Sequence, residues 1–232
     1  MKDGTRAGTT LPGDMPTGQP GRYLLDLRPM TAGSMLDHER VVVRRAATGE
    51  TYRNPVSVSM YALAQHTGAL AADRYPATGD ERSPGVQALL TQAAWLRAGQ
   101  DSNGGWRCPV PAPRYPVRPG WYSAMALGLA VSVMLRGYAT TGRRSFLDAS
   151  EGAVELMLRP LDAGGCSHYD RLGSPFLNGA VFALFGLCEL SADPRWPAVA
   201  IAWDRYTRSP ASQLRAAAGK GRFVLKERRA RS

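Results

Sequence analysis

The chain has 232 residues, 44% of them hydrophobic and 21% charged, which excludes a disordered or collagen-like polymer. The formal net charge of +10 points towards anionic partners such as an acidic polysaccharide, anionic lipid or nucleic acid. Three cysteines without a CxxC, and three histidines, speak against a disulfide framework or a metal site, so free thiols and no metal or other cofactor are expected.

Residues 1–22 are polar and rich in Gly, Thr and Pro, and read as a flexible lead. They hold no apolar h-region, so the chain as given is expected to be cytoplasmic. No uninterrupted apolar run reaches the ~18 residues of a membrane span. Residues 23–53 contain the β-branched run Val41–Val43 and the turn Thr48-Gly49-Glu50, which predict a short β-hairpin. The period then changes. Asn54 and Pro55 form an N-cap and first helical residue, and Val56, Met60, Leu63, Ala64 and Thr67 recur at helical spacing until Gly68.

A second helix starts at Ser83-Pro84 and ends before the Asp101-Ser102-Asn103-Gly104-Gly105-Trp106 loop. A third, from about Trp121 to Thr140, is apolar nearly all round and therefore buried among other helices. A fourth covers about Arg144 to Leu158, a fifth about Leu177 to Leu190, and a sixth Pro194 to about Tyr206.

The pattern repeats. A buried helix is followed by an amphipathic one and then a Gly-Gly loop, at Gly104-Gly105 and at Gly164-Gly165. Such hairpins build an α-solenoid or an α/α toroid. The long Pro- and aromatic-rich loop from Cys108 to Trp121 favours the toroid. The fold class is thus all-α: a partial toroid of about three hairpins over residues 54–210, preceded by the β-like segment 23–53 and followed by a basic tail, 211–232. Seven cations and one acid between Arg215 and Arg231 give that tail +6, leaving +4 for the rest.

Toroid loops gather at one end, which directs attention to two of them. The first interleaves rings and cations: Trp106, Arg107, Arg114, Tyr115, Arg118, Trp121 and Tyr122. Aromatic faces stack on a pyranose and guanidinium forks take a carboxylate, so a sugar acid suits this loop, as would a single-stranded nucleic acid. The same tryptophans could equally cap the core. The second loop carries His168, Tyr169, Asp170 and Arg171 between two buried helices, where His168 or Tyr169 could move a proton. Asn178 opens the following helix as a cap or a ligand contact.

The text of these loops resembles a known family. Gly120 to Gly142, G-W-Y-S-A-M-A-L-G-L-A-V-S-V-M-L-R-G-Y-A-T-T-G, is similar to the C-terminal domain of D-glucuronyl C5-epimerases. So are N-P-V-S-V-S-M-Y-A-L from Asn54, W-L-R-A-G-Q-D-S-N-G-G-W from Trp95, and F-L-N-G-A-V-F-A-L-F-G-L-C-E-L from Phe176. The resemblance implies an α/α toroid and an isomerase that inverts glucuronate at C5 in polymers such as heparosan. By that likeness Tyr169 stands where the family has its tyrosine, and with His168 it would be the proton-transfer group. From the loop residues themselves, Arg114, Arg118 or Arg171 would hold the carboxylate, and Trp106, Trp121, Tyr122 and Asn178 the sugar. The partner would be a glucuronate-containing polysaccharide rather than nucleic acid.

Two departures stand out. The family's E-E-Y-P reads Ser167-His168-Tyr169-Asp170, and its M-A-Q-G-Q reads Met125-Ala126-Leu127-Gly128-Leu129. A truncated or non-catalytic member that binds an acidic glycan in the same groove is the alternative.

Overall fold

Helix starts follow the local chemistry. The Asn54 carboxamide oxygen accepts the Val56 amide at 2.9 Å, and Pro55, which has no N–H to leave unpaired, begins α2 (Pro55–Ala71). The computed structural model describes residues 21–71, 83–109, 119–159 and 177–191, and side chains in the last stretch from 181 to 190. Pro84 plays the same part for α3 (Pro84–Gly99). Ser123 accepts the Ala126 amide at 3.4 Å to cap α4 (Ala124–Thr141), which ends on Gly142 in the left-handed region. α5 (Arg144–Leu158) and α6 (Leu177–Ser191) follow. A single turn, α1 (Arg28–Thr31), precedes them all.

Two boundaries differ from expectation. α2 runs past Gly68 to Ala71, because a lone glycine costs a helix only ~1 kcal/mol and the flanking Thr67 and Ala69 are buried. Trp121 and Tyr122 are not helical: they form β5 (Trp121–Tyr122), antiparallel to β4 (Arg107–Cys108). The expected helix at 194–206, the tail 211–232 and most of the lead lie outside the described residues.

The hairpin at Thr48-Gly49 is present as β2 (Val42–Arg45) and β3 (Thr51–Tyr52), and β1 (Met35–Leu36) adds a third antiparallel strand. This sheet shares the helical core. The Gln92 carboxamide of α3 accepts the Val42 amide at 3.0 Å and donates to the Arg40 carbonyl at 2.8 Å. Val41 and Val42 are buried with Leu63, Leu89 and Leu96.

Among the described residues the helices form two hairpins around α4. Gly85, opening α3, lies against Gln65 and Ala69 near the end of α2. Gly137, near the end of α4, lies against Phe146 at the start of α5. α4 and α6 run side by side in the same direction, Gly128 meeting Phe182, Ala183 and Gly186, and Arg136 meeting Glu189. α4 has the length and apolarity to cross a bilayer, with mean hydropathy 1.2 over 18 residues. It is the core helix here, 72% buried and in contact with α2, α3, α5 and α6.

Among the described residues, one fully buried cation sits in that core. The Arg136 guanidinium is 1% exposed and makes a two-pronged pair with Glu189, 2.8 Å on each prong. It also donates to the Ser132 carbonyl and, at 2.9 Å, to the Gly21 carbonyl, which fastens the N-terminal segment to the bundle. The same guanidinium stands 5.5 Å from the Tyr23 ring centre. The buried Tyr23 hydroxyl is pushed well above the usual phenol range by burial and by Glu189.

His66 on α2 belongs to this interior. Burial, and then the Arg136 charge, hold its imidazole down at about 3. Folded His66 is therefore neutral while the unfolded residue takes a proton near 6.5, so its contribution is intact above that pH and is lost as pH falls from 6.5 towards 3. The slope is about 1.4 kcal/mol per pH unit. His66→Gln is expected to flatten the stability profile in this window, measured as the difference between wild-type and variant urea unfolding at pH 7, 5 and 4.

Candidate functional site

A helix that ends leaves carbonyls without partners, and the turn after α3 supplies them. The Trp106 indole N–H donates to the Leu96 carbonyl at 2.6 Å in the last turn of α3. The Gln100 carboxamide donates to the Gly104 carbonyl at 2.9 Å and to the Ala149 carbonyl of α5 at 2.7 Å. Gly104 has φ +86° and sits where a Cβ would lie 2.1 Å from the Gly152 carbonyl oxygen, so only glycine lets this loop press against α5.

Asp101 organises the loop so formed. One carboxylate oxygen accepts the amides of Asn103 (3.0 Å) and Gly105 (3.3 Å). The other accepts the Tyr122 hydroxyl at 2.5 Å and Arg107 Nε at 3.0 Å. Asn103 also donates to the Tyr122 hydroxyl at 3.1 Å. Arg107 reaches on to the Gly120 carbonyl, with its guanidinium carbon 4.8 Å from the Tyr122 ring centre. Burial works against the Asp101 charge, but the Tyr122 hydroxyl, the two amides and Arg107 outweigh it and hold the carboxyl below its ordinary range. Tyr122 moves the other way, its pKa raised by burial and by the Asp101 it donates to. A phenol held protonated is a hydrogen-bond donor and not a base.

Arg159, the residue after α5, lies 3.5 Å from the Asn103 carboxamide oxygen. The described chain resumes at Leu177, the start of α6. Arg114, Arg118, His168, Tyr169 and Arg171 lie outside the described residues. Asn178 is the second residue of α6, and its side chain is likewise outside them.

Of the expected sugar contacts, Trp121 and Tyr122 are half-buried in β5 and Trp106 is 2% exposed. Trp106 thus serves mainly as a cap on α3. Cys108 is a buried free thiol pushed up to about 12 by burial, which makes it inert as a nucleophile. Sequence reasoning missed Asp101 and Asn103. Their Asp-x-Asn-Gly-Gly spacing marks a turn, and the turn hides that the Asp side chain holds it together.

A cavity of about 260 Å³ opens beside this loop, lined by Arg53, Pro55, Trp95, Asp101, Trp106 and Arg107, among others. Arg53 and Trp95 were not expected in a site. Each reads locally as an exposed cation or a helix-face ring, and the fold brings them together with the Arg53 guanidinium carbon 5.9 Å from the Trp95 ring centre.

Residues 100–211 match the family model described as D-glucuronyl C5-epimerase C-terminus. The chain is also similar to a D-glucuronyl C5-epimerase of Caenorhabditis elegans, 32% identical over 119 residues. That alignment covers 45% of this chain, and the chain spans about a fifth (19%) of the length of this curated relative. The matched segment begins at Gln100 and takes in the whole Asp101–Tyr122 cluster, α4, α5 and α6. Over residues 100–211 the chain is thus similar to the C-terminal domain of the D-glucuronyl C5-epimerases.

Proposed function

We propose that this chain is a uronate C5-epimerase domain acting on glucuronate units of an acidic polysaccharide such as heparosan, with residues 54–210 folded as a partial α/α toroid. The family match over residues 100–211 carries the reading. The parallel course of α4 and α6, together with the α2–α3 and α4–α5 hairpins, supports the toroid.

Epimerisation at C5 removes a proton α to the carboxylate and returns one from the opposite face. That needs two acid/base groups flanking the ring, one on each face, and a cation to hold the developing enolate charge. Tyr122 is committed to Asp101 as a donor; the family likeness gives proton transfer to Tyr169, assisted by His168. Arg114, Arg118 and Arg171 supply the carboxylate clamp. Asp101 and Arg107 keep the rim of the groove in shape.

Heparosan incubated with the protein in deuterated water is expected to gain deuterium at C5, read by mass spectrometry and NMR. Tyr169→Phe is expected to slow the exchange by about 10²-fold or more, the usual range for loss of a general acid or base. Unchanged exchange in that variant would reassign the base.

One observation favours a binding-only reading. Leu127 and Leu129 stand where the family text has two glutamines, and both are fully buried, so these positions offer no polar group to a groove. Heparosan binding without C5 exchange in the wild type would select it.

A further inference from the structure

The cavity beside Trp95 draws half its wall from residues before the family-matched segment: Arg53 at the entry to α2, Pro55, and Trp95 and Gly99 on the last turns of α3. Its charges are already matched. Arg53 donates through Nε to Asp37 at 2.7 Å, and its Nη2 bonds both Asp37 and Glu39. Arg107 is matched by Asp101 at 3.0 Å. Two guanidiniums faced by three carboxylates leave no net positive charge to draw an anion.

What remains is a half-buried indole wall with rigidly held N–H donors and carboxylate acceptors at its edge. A sugar hydroxyl both donates and accepts, so it uses such pairs without breaking them. The C–H face of a pyranose covers an indole and removes apolar surface from water. The volume, about 260 Å³, lies just under the ~300–1,000 Å³ of pockets for drug-sized ligands, and so suits one ring of a longer chain.

We propose that this cavity is a subsite for a single neutral pyranose ring of the glycan, stacked on Trp95 and bonded through its hydroxyls to the Arg53 and Asp101–Arg107 groups. It rests on the glycan reading above and extends the groove beyond the matched segment. A neutral ring here leaves carboxylate recognition to the arginines of the other loops.

Calorimetric titration of a heparosan hexasaccharide, and in parallel a neutral cellohexaose, into wild type, Trp95→Ala and Trp95→Phe tests it, with C5 deuterium exchange measured separately. Trp95→Ala is expected to weaken heparosan binding up to about tenfold, the loss of one stacked ring, and Trp95→Phe to keep most of it. Thermal melting of both variants guards against misfolding. Equal affinity for heparosan in wild type and Trp95→Ala overturns the subsite and leaves the epimerase reading standing. Trp95-dependent binding without C5 exchange upholds the subsite and removes the catalytic reading. Trp95-dependent binding of cellohexaose with no affinity for heparosan upholds the subsite and removes glucuronate as the substrate. Binding of neither saccharide overturns the subsite.

Discussion

Glu189→Ala is expected to destabilise the fold by about 3–5 kcal/mol, because it strands a guanidinium that water cannot reach. Arg136 is 1% exposed, and Glu189 supplies both oxygens of its charged contact. The remaining partners, the carbonyls of Ser132 and Gly21, accept hydrogen bonds but carry no countercharge. The cost is that of the orphan, not the worth of the pair. The double replacement Arg136→Met with Glu189→Leu removes both charges and refills the space, and should recover most of the loss. Urea unfolding of the two single variants and the double variant gives the coupling directly. Equal destabilisation by the single and double changes would mean that packing, not charge, sets the cost.

Gly128→Ala is the second large effect. A Cβ at Gly128 would lie 2.1 Å from the Phe182 carbonyl oxygen and 2.5 Å from Ala183 Cα, and one at Gly186 would lie 2.4 Å from the Gly128 carbonyl oxygen. These are backbone atoms, so no rotamer change relieves the overlap, and α4 and α6 must separate. A loss of ~3 kcal/mol or more is expected, the upper end of overpacking costs. Gly68→Ala supplies the contrast. There a Cβ meets only the Arg28 Cδ at 3.9 Å, and removing a mid-helix glycine should add up to about 1 kcal/mol. Opposite signs for the same chemical change would show that the α4–α6 crossing, and not helix propensity, decides.

Local signals carried the helices well. Asn54-Pro55 and Ser83-Pro84 predict the starts of α2 and α3, and the all-round apolar stretch predicts that α4 is central. The misjudged start of α4 has a physical cause. Trp121 and Tyr122 are apolar enough to extend the helical pattern, but pairing with Arg107 and Cys108 holds them extended. That pairing is non-local, and no window of periodicity reports it.

The site was legible where chemistry and spacing coincide in one loop, as for Trp106, Trp121 and Tyr122. It was illegible where residues meet only through the fold. Arg53 reaches Trp95 because the three-stranded sheet docks on α3 through Gln92, a contact between residues about fifty positions apart. Asp101 was read as turn-forming, which it is. Its second carboxylate oxygen, the one that serves Tyr122 and Arg107, has no signature in sequence.

The Arg136 link also constrains the order of assembly. Gly21 bonds a guanidinium 115 positions later in the chain, and that guanidinium finds its countercharge 53 positions further on. A chain leaving the ribosome from its N-terminus has no anchor for Gly21 until α4 emerges. α4 then carries an unmatched cation on an apolar surface until α6 emerges as well. Contacts so far apart in sequence are slow to close, and an uncovered α4 face is the kind of surface that chaperones hold. Gly21 thus waits through more than a hundred residues of synthesis for the guanidinium that secures it.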